Sequence, residues 1–104
     1  MATLLLRILE PAKIYIETLS EADKGAIAAD MDAMTSGEFD AVNTKQLRGP
    51  IRELISGHHR ISYFKLEPFL CFVRGFRKKT GKTPKKEIEY AASIHHLFQK
   101  QLKK

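Results

Sequence analysis

The chain has 104 residues, 43% of them hydrophobic and 29% charged, which suits a single domain spanning 1–104 with one buried core and leaves no room for a second. A lone cysteine, Cys71, excludes an internal disulfide and points to a reducing cytoplasm. The opening MATLLLRIL is too short to span a membrane and lacks the features of a signal peptide, so a cytoplasmic protein with no membrane partner is expected. The net charge of +6 is unevenly divided. Residues 1–44 carry three Lys or Arg against eight Asp or Glu, whereas residues 45–104 carry fifteen against four. Such a split points to a polyanion-binding face built by the C-terminal part.

Thr3 to Leu9 is a short apolar run that fits either a strand or the approach to a helix. Pro11 suits a first helical turn, with Ile14, Tyr15 and Leu19 as its apolar side. Ser20 followed by Asp23 resembles a capping arrangement, so a second helix is expected from about Glu21. Ala26 or Ile27, Met31 and Met34 would form its inner face, and Gly37 its stop. Glu38 to Gly49 reads as a connection.

From Ile51 the period changes to two. Ile51, Glu53 and Ile55 alternate with Arg52 and Leu54, and Gly57 marks a turn. His59, Ile61 and Tyr63 then alternate with Arg60, Ser62 and Phe64. Glu67–Pro68 breaks the run before a third strand, Phe69 to Phe76, whose continuous FLCFV suggests a central strand covered on both faces. Pro84 opens a last helix to Leu102, with Ile88, Ala91, Ala92, His95, Phe98 and Leu102 on one face. The predicted fold is α+β: two N-terminal helices, a small antiparallel meander of three strands with a possible further N-terminal strand, and a C-terminal helix.

Functional interest centres on Arg74 to Lys86, RGFRKKTGKTPKK, with seven basic residues, no acidic one and thirteen positions in all. Arg forks and Lys point charges hold phosphates, and Gly75 and Gly81 permit close backbone approach. Lys85 and Lys86 fall in a first helical turn, where the helix dipole disfavours cations unless an anion sits nearby. An RNA-binding set of Arg52, Arg74, Lys82, Lys85 and Lys86 is therefore expected, with Tyr63 and Tyr90 as candidates to stack on bases. The plain alternative is a solvated basic turn, with both tyrosines packed.

RNA can be cleaved without a metal if side chains deprotonate the ribose 2′-hydroxyl, stabilise the phosphate and protonate the leaving oxygen. Arg60 and Arg77 suit the phosphate, Lys78 or Lys79 the proton transfers, and His59, or its neighbour His58, can act as acid or base. If their strands pair, Arg60, Arg77 and Lys78 or Lys79 would converge on one phosphate. His95, on an apolar helix face, reads as packing. No metal site and no cofactor are expected, since Cys71 lacks ligand partners at suitable spacing. Nucleotide-loop, nucleophile-elbow and paired-carboxylate signatures are missing from the sequence.

The run from Lys45 to Ala92 resembles the RelE/ParE toxin superfamily, and within it the HigB-like branch of phage-derived toxins. Leu47 with Gly49, Glu53–Leu54, Arg60 with Tyr63, and above all GFRKKTGKTP with the E-I-E-x-A after it carry the likeness. The resemblance implies helices packed on a small antiparallel sheet and a metal-free, ribosome-dependent mRNA endonuclease. It also implies a partner antitoxin with a helix-turn-helix domain. By position, Arg60 matches the family's strand arginine, and Arg77, Lys78 and Lys79 match its basic cluster. Two departures stand out: Ile55 replaces an arginine, and His58–His59 replaces the residues usual before Arg60. A catalytically weak or inactive RNA- or protein-binding module is the alternative reading. A gyrase inhibitor of the ParE type fits the FRKKTGKTP stretch less well.

Overall fold

A five-stranded sheet positions everything else. The computed structural model describes residues 3–79 and 81–102; Thr80 of the basic turn and Lys103 and Lys104 of the lysine-rich tail lie outside them. In chain order the elements are β1 (Leu5–Ile8), α1 (Glu10–Glu17), α2 (Glu21–Thr35), a 3-10 turn (Phe39–Ala41), β2 (Thr44–Arg48), β3 (Ile51–Ser56), β4 (His59–Leu66), β5 (Phe69–Arg77) and α3 (Lys85–Leu102). The sheet order is β1-β5-β4-β3-β2. The last four strands form an antiparallel meander, and β1 lies parallel to β5. The α+β class and the three strands of the expected meander are present, as are the N-terminal strand and the three helices.

The expected connection from Glu38 to Gly49 is corrected: it contains the 3-10 turn and an edge strand. An edge strand leaves most of its side chains in water, so TKQLR shows no apolar alternation, and Leu47 is its apolar residue packed against the core. The face of α1 is also corrected. Ile14 is exposed, while Ala12 is buried and Ile16 packs against the core in its place. On α2 the expected Ile27, Met31 and Met34 are buried, and Ser20 accepts a hydrogen bond from the Asp23 amide as its cap.

The helices cover the sheet on both sides. Ile27, Met31 and Met34 of α2 and Ala12 of α1 pack with Leu54, Ile61, Tyr63, Leu70 and Phe72. Ala91, Ile94 and Phe98 of α3 pack with Ile51, Phe64, Cys71 and Val73 on the opposite side. That double cover is why FLCFV is apolar throughout.

A bulge then re-aims the end of β5. Tyr63 pairs with Phe72 but Ser62 pairs with Arg74, so Val73 is an extra residue on β5. Cys71 and Val73 both face α3, and beyond the bulge the alternation is reset. Arg74 and Phe76 now lie toward α3, whereas Gly75 and Arg77 lie toward α1. Gly57, at φ +59°, allows the tight turn that brings His59 back opposite Ser56, and on its other side His59 pairs with Arg77 of β5.

Candidate nucleic-acid interface

The basic turn forms one wall of a cleft where β5 ends and α3 begins. The cleft has a volume of about 390 Å³ and is lined by Phe76, Arg77, Lys79, Pro84, Lys86 and Glu87. Arg77, Lys79 and Lys86 are exposed, so three cations meet solvent around it. The Lys78 amide donates to the His58 carbonyl at 2.8 Å, which extends the β4–β5 ladder past Arg77 and anchors the start of the turn. Lys85 pairs with Glu89 at 3.8 Å along the helix, and Lys82 is exposed on the turn.

The other end of the turn is tied down from below. Thr83 donates its hydroxyl to Glu53 Oε1 at 2.8 Å. Glu53 is fully buried on β3 and is paired at 3.9 Å with Arg60 on β4. Arg60 also donates through Nη1 to the carbonyls of Gly57 and His59. Arg74 reaches Glu87 at 3.2 Å, and its guanidinium lies 5.0 Å from the Tyr90 ring centroid. Two buried carboxylates, Glu53 and Glu87, thus fix the basic turn to the sheet through Thr83 and Arg74.

The expected convergence of Arg60 with Arg77 is corrected. Arg60 pairs with Phe76 and His59 pairs with Arg77, and neighbouring residues on a strand point to opposite faces. Arg60 lies on the α3 side with a side chain only 10% exposed. Tyr63 is 2% exposed with its ring against Phe72, so it packs and offers no face to a base. Arg52 lies near it, donating to the Tyr63 hydroxyl and to Thr44, away from the cleft-lining residues. Tyr90 sits under Arg74.

His59 holds a position that its sequence neighbourhood did not suggest. It is 8% exposed and bonded on both ring nitrogens. Nδ1 lies 2.7 Å from the Tyr15 hydroxyl of α1, and Nε2 lies 3.1 Å from Asp23 Oδ2 of α2. A carboxylate can only accept, so Nε2 donates to Asp23, and in the tautomer this assigns to an uncharged ring Nδ1 accepts from the Tyr15 hydroxyl. Tyr15 reaches this point because Gly75 gives it room: a Cβ there would come closer than 3 Å to the Tyr15 ring. Burial raises the Tyr15 pKa above its ordinary 10.0, with Asp23 adding to the rise and Arg77 opposing it. Tyr15 and Asp23 were missing from the sequence-based candidates. Their spacing from His59 in sequence carries no signal; Gly75, within β5 between Arg74 and Phe76, was the available hint.

Three comparisons bear on this arrangement. A family model of phage-derived Gp49-like proteins matches residues 14–96. The chain belongs to that family. The match takes in the second half of α1, all of α2, the whole meander, the basic turn and most of α3, so both the cleft and the Tyr15–His59–Asp23 group lie within the Gp49-like region. No curated protein matches the chain. Among solved structures, it is similar to the isolated Escherichia coli RelE toxin (13% identity, TM-score 0.59, 85% of this chain and 97% of that one). It is also similar to a chain of the RelBE2 toxin–antitoxin complex of Mycobacterium tuberculosis (18%, 0.61, 75% and 94%). A third match is in the RelB–RelE antitoxin–toxin complex of Methanococcus jannaschii (11%, 0.59, 80% and 94%). The fold of this Gp49-like chain is therefore the RelE fold, as its resemblance to the RelE/ParE superfamily implied. Among the described residues no helix is long and apolar enough to cross a membrane, and no group of three His, Cys, Asp or Glu is placed to hold a metal ion.

Proposed function

We propose that this protein is the toxin of a type II toxin–antitoxin pair and cleaves mRNA on the ribosome. The observation that carries this reading is the cation-lined cleft of Arg77, Lys79 and Lys86 at the end of β5, built on a RelE fold. Arg77 is exposed and always charged, which suits it to fork onto a phosphate as charge develops there. Lys79 protonates the leaving 5′ oxygen, while Lys78, Lys82, Lys85 and Lys86 hold flanking phosphates. Arg60 acts at one remove, by holding Glu53 and through it Thr83 of the turn. Two of the similar solved structures are toxin–antitoxin complexes, which supports an antitoxin partner for this chain. The reading takes that antitoxin to be of helix-turn-helix type and the pair to act in the cytoplasm.

A second reading is a binder of RNA that does not cut. Arg60 and Arg74 are drawn toward Glu53 and Glu87, and Ile55, register partner of Arg60, stands where the superfamily carries an arginine. Expression of the chain alone in growing bacteria separates the two. A nuclease arrests growth and leaves cut ends within translated messages, and Arg77→Ala relieves both effects. A binder gives salt-sensitive RNA retention with intact messages. If neither arrest nor cut ends appear, the enzyme reading is wrong.

A further inference from the structure

The Tyr15–His59–Asp23 group lies on the α1 side of β5, away from the buried carboxylates that anchor the basic turn, and Arg77 connects it to the cleft. Arg77 lines the cleft, is the register partner of His59 and acts electrostatically on Tyr15. We propose that the Tyr15 hydroxyl is the catalytic base that meets the ribose 2′-hydroxyl, with His59 and Asp23 as a proton relay behind it. The inference rests on the nuclease reading above and supplies the one role that reading leaves unfilled.

Three observations lead to Tyr15. His59 is 8% exposed with both ring nitrogens engaged, so it cannot touch RNA itself. Tyr15 is half-buried, and its hydroxyl joins that imidazole to the neighbourhood of Arg77. Asp23 accepts from the far nitrogen with a carboxylate half open to solvent, which orients the ring so that Nδ1 faces the Tyr15 hydroxyl. The charged or titratable groups that act on the hydroxyl are His59 from β4, Asp23 from α2 and Arg77 from β5.

The step balances. The 2′-hydroxyl passes its proton to the Tyr15 oxygen while the tyrosine's own proton moves to His59 Nδ1. The 2′ oxygen forms its bond to phosphorus, and the phosphorus–O5′ bond breaks. The leaving oxygen takes a proton from the Lys79 ammonium. The products are a 2′,3′-cyclic phosphate and a 5′-hydroxyl; His59 then returns its proton through Tyr15, and Lys79 regains one from solvent. Arg77 steadies the negative charge that develops on the phosphate.

The test uses the full chain on translating ribosomes, with single-turnover cleavage of mRNA measured across pH. Tyr15→Phe should cut about 100-fold more slowly or worse, while melting as a folded protein and binding a 2′-fluoro RNA oligonucleotide within about twofold of wild type. Asp23→Asn should slow cleavage in the same assay while leaving binding of the 2′-fluoro oligonucleotide within about twofold of wild type, a split between cutting and binding that a purely structural tie would not give. In wild type labelled at the tyrosine ring carbon Cζ, the 2′-fluoro oligonucleotide should shift the Tyr15 resonance. A Tyr15→Phe protein that cuts at the wild-type rate, or a Tyr15 resonance unmoved by bound oligonucleotide, overturns the base role and leaves the nuclease reading standing. A wild type that cuts nothing overturns both.

Discussion

Glu53 and Arg60 face each other across β3 and β4, 3.9 Å apart, one side chain fully buried and the other 10% exposed. Removing one partner of such a pair leaves an uncompensated buried charge, at a cost of about 3–5 kcal/mol. Arg60→Ala should therefore unfold in chemical denaturation with a loss in that range. Glu53→Gln combined with Arg60→Met should recover much of it. Lost toxicity in Arg60→Ala then reports on folding before it reports on chemistry. A denaturation midpoint equal to wild type would show that Arg60 is not holding Glu53.

The exposed cations should behave in the opposite way. Arg77→Ala, Lys79→Ala and Lys86→Ala each remove surface charge from the cleft, so stability should change by less than about 0.5 kcal/mol. Affinity for single-stranded RNA should fall, and the slope of log affinity against log salt should shrink by about 0.7 for each phosphate that is no longer neutralised. Fluorescence anisotropy at several salt concentrations checks this. An unchanged slope for all three would place the RNA elsewhere.

How much of this was written in the sequence depends on the kind of signal each feature leaves. Helices α2 and α3 and strands β3 to β5 follow from apolar period, caps and turn residues, and their bounds match the expected ones closely. β2 left no signal because an edge strand keeps its polar residues. The basic cluster was plain as charge, but its geometry was not. The unpaired Val73 inverts the facing of every later residue on β5, so Arg60 and Arg77 part to opposite faces although their strands pair. Glu53 reads as a polar residue within an alternating strand, and only tertiary packing turns it into a buried anchor for Thr83. Likewise Tyr15 and Asp23 sit 44 and 36 residues from His59, a separation at which local patterning says nothing.

The packing of Tyr15 over Gly75 gives a steric test of that long-range contact. In Gly75→Ala the new methyl group meets the Tyr15 ring at less than 3 Å, against a residue fixed by its bond to His59. Overpacking of this kind costs about 1–3 kcal/mol. Truncating the ring in Gly75→Ala with Tyr15→Ala should show positive coupling, with the second change costing less than it does alone. Additive losses in a double-mutant cycle would mean that the two residues do not touch.

The Tyr15 hydroxyl offers a titration readout with a definite sign. Burial and Asp23 raise its pKa above 10.0 while Arg77 lowers it, so Arg77→Gln should raise the value further and Asp23→Asn should reduce it. A folded value above the unfolded one means that the stability it contributes is full below pH 10.0 and is lost as pH rises through the folded value. Tyrosinate absorbance of the folded protein, with Tyr15→Phe as the blank, follows the shift. Movement of the two variants in the same direction would break the electrostatic account.

His95 gives the acid-side counterpart. Its ring meets Phe64 edge-on, with centroids 4.9 Å apart, and burial lowers its pKa below the ordinary 6.5, with the neighbouring His96 adding to the shift. A depressed folded value means that its contribution is complete above pH 6.5 and disappears as pH falls through that lower value, when the unfolded chain takes up the proton more readily. Unfolding free energy should therefore decline below pH 6.5 in the wild type, and the decline should be shallower in His95→Gln. The same substitution should cost stability at neutral pH, because an amide replaces a ring packed on Phe64. Denaturant melts at neutral and mildly acidic pH measure both effects. A pH dependence that survives His95→Gln unchanged would assign the acid sensitivity to groups other than His95.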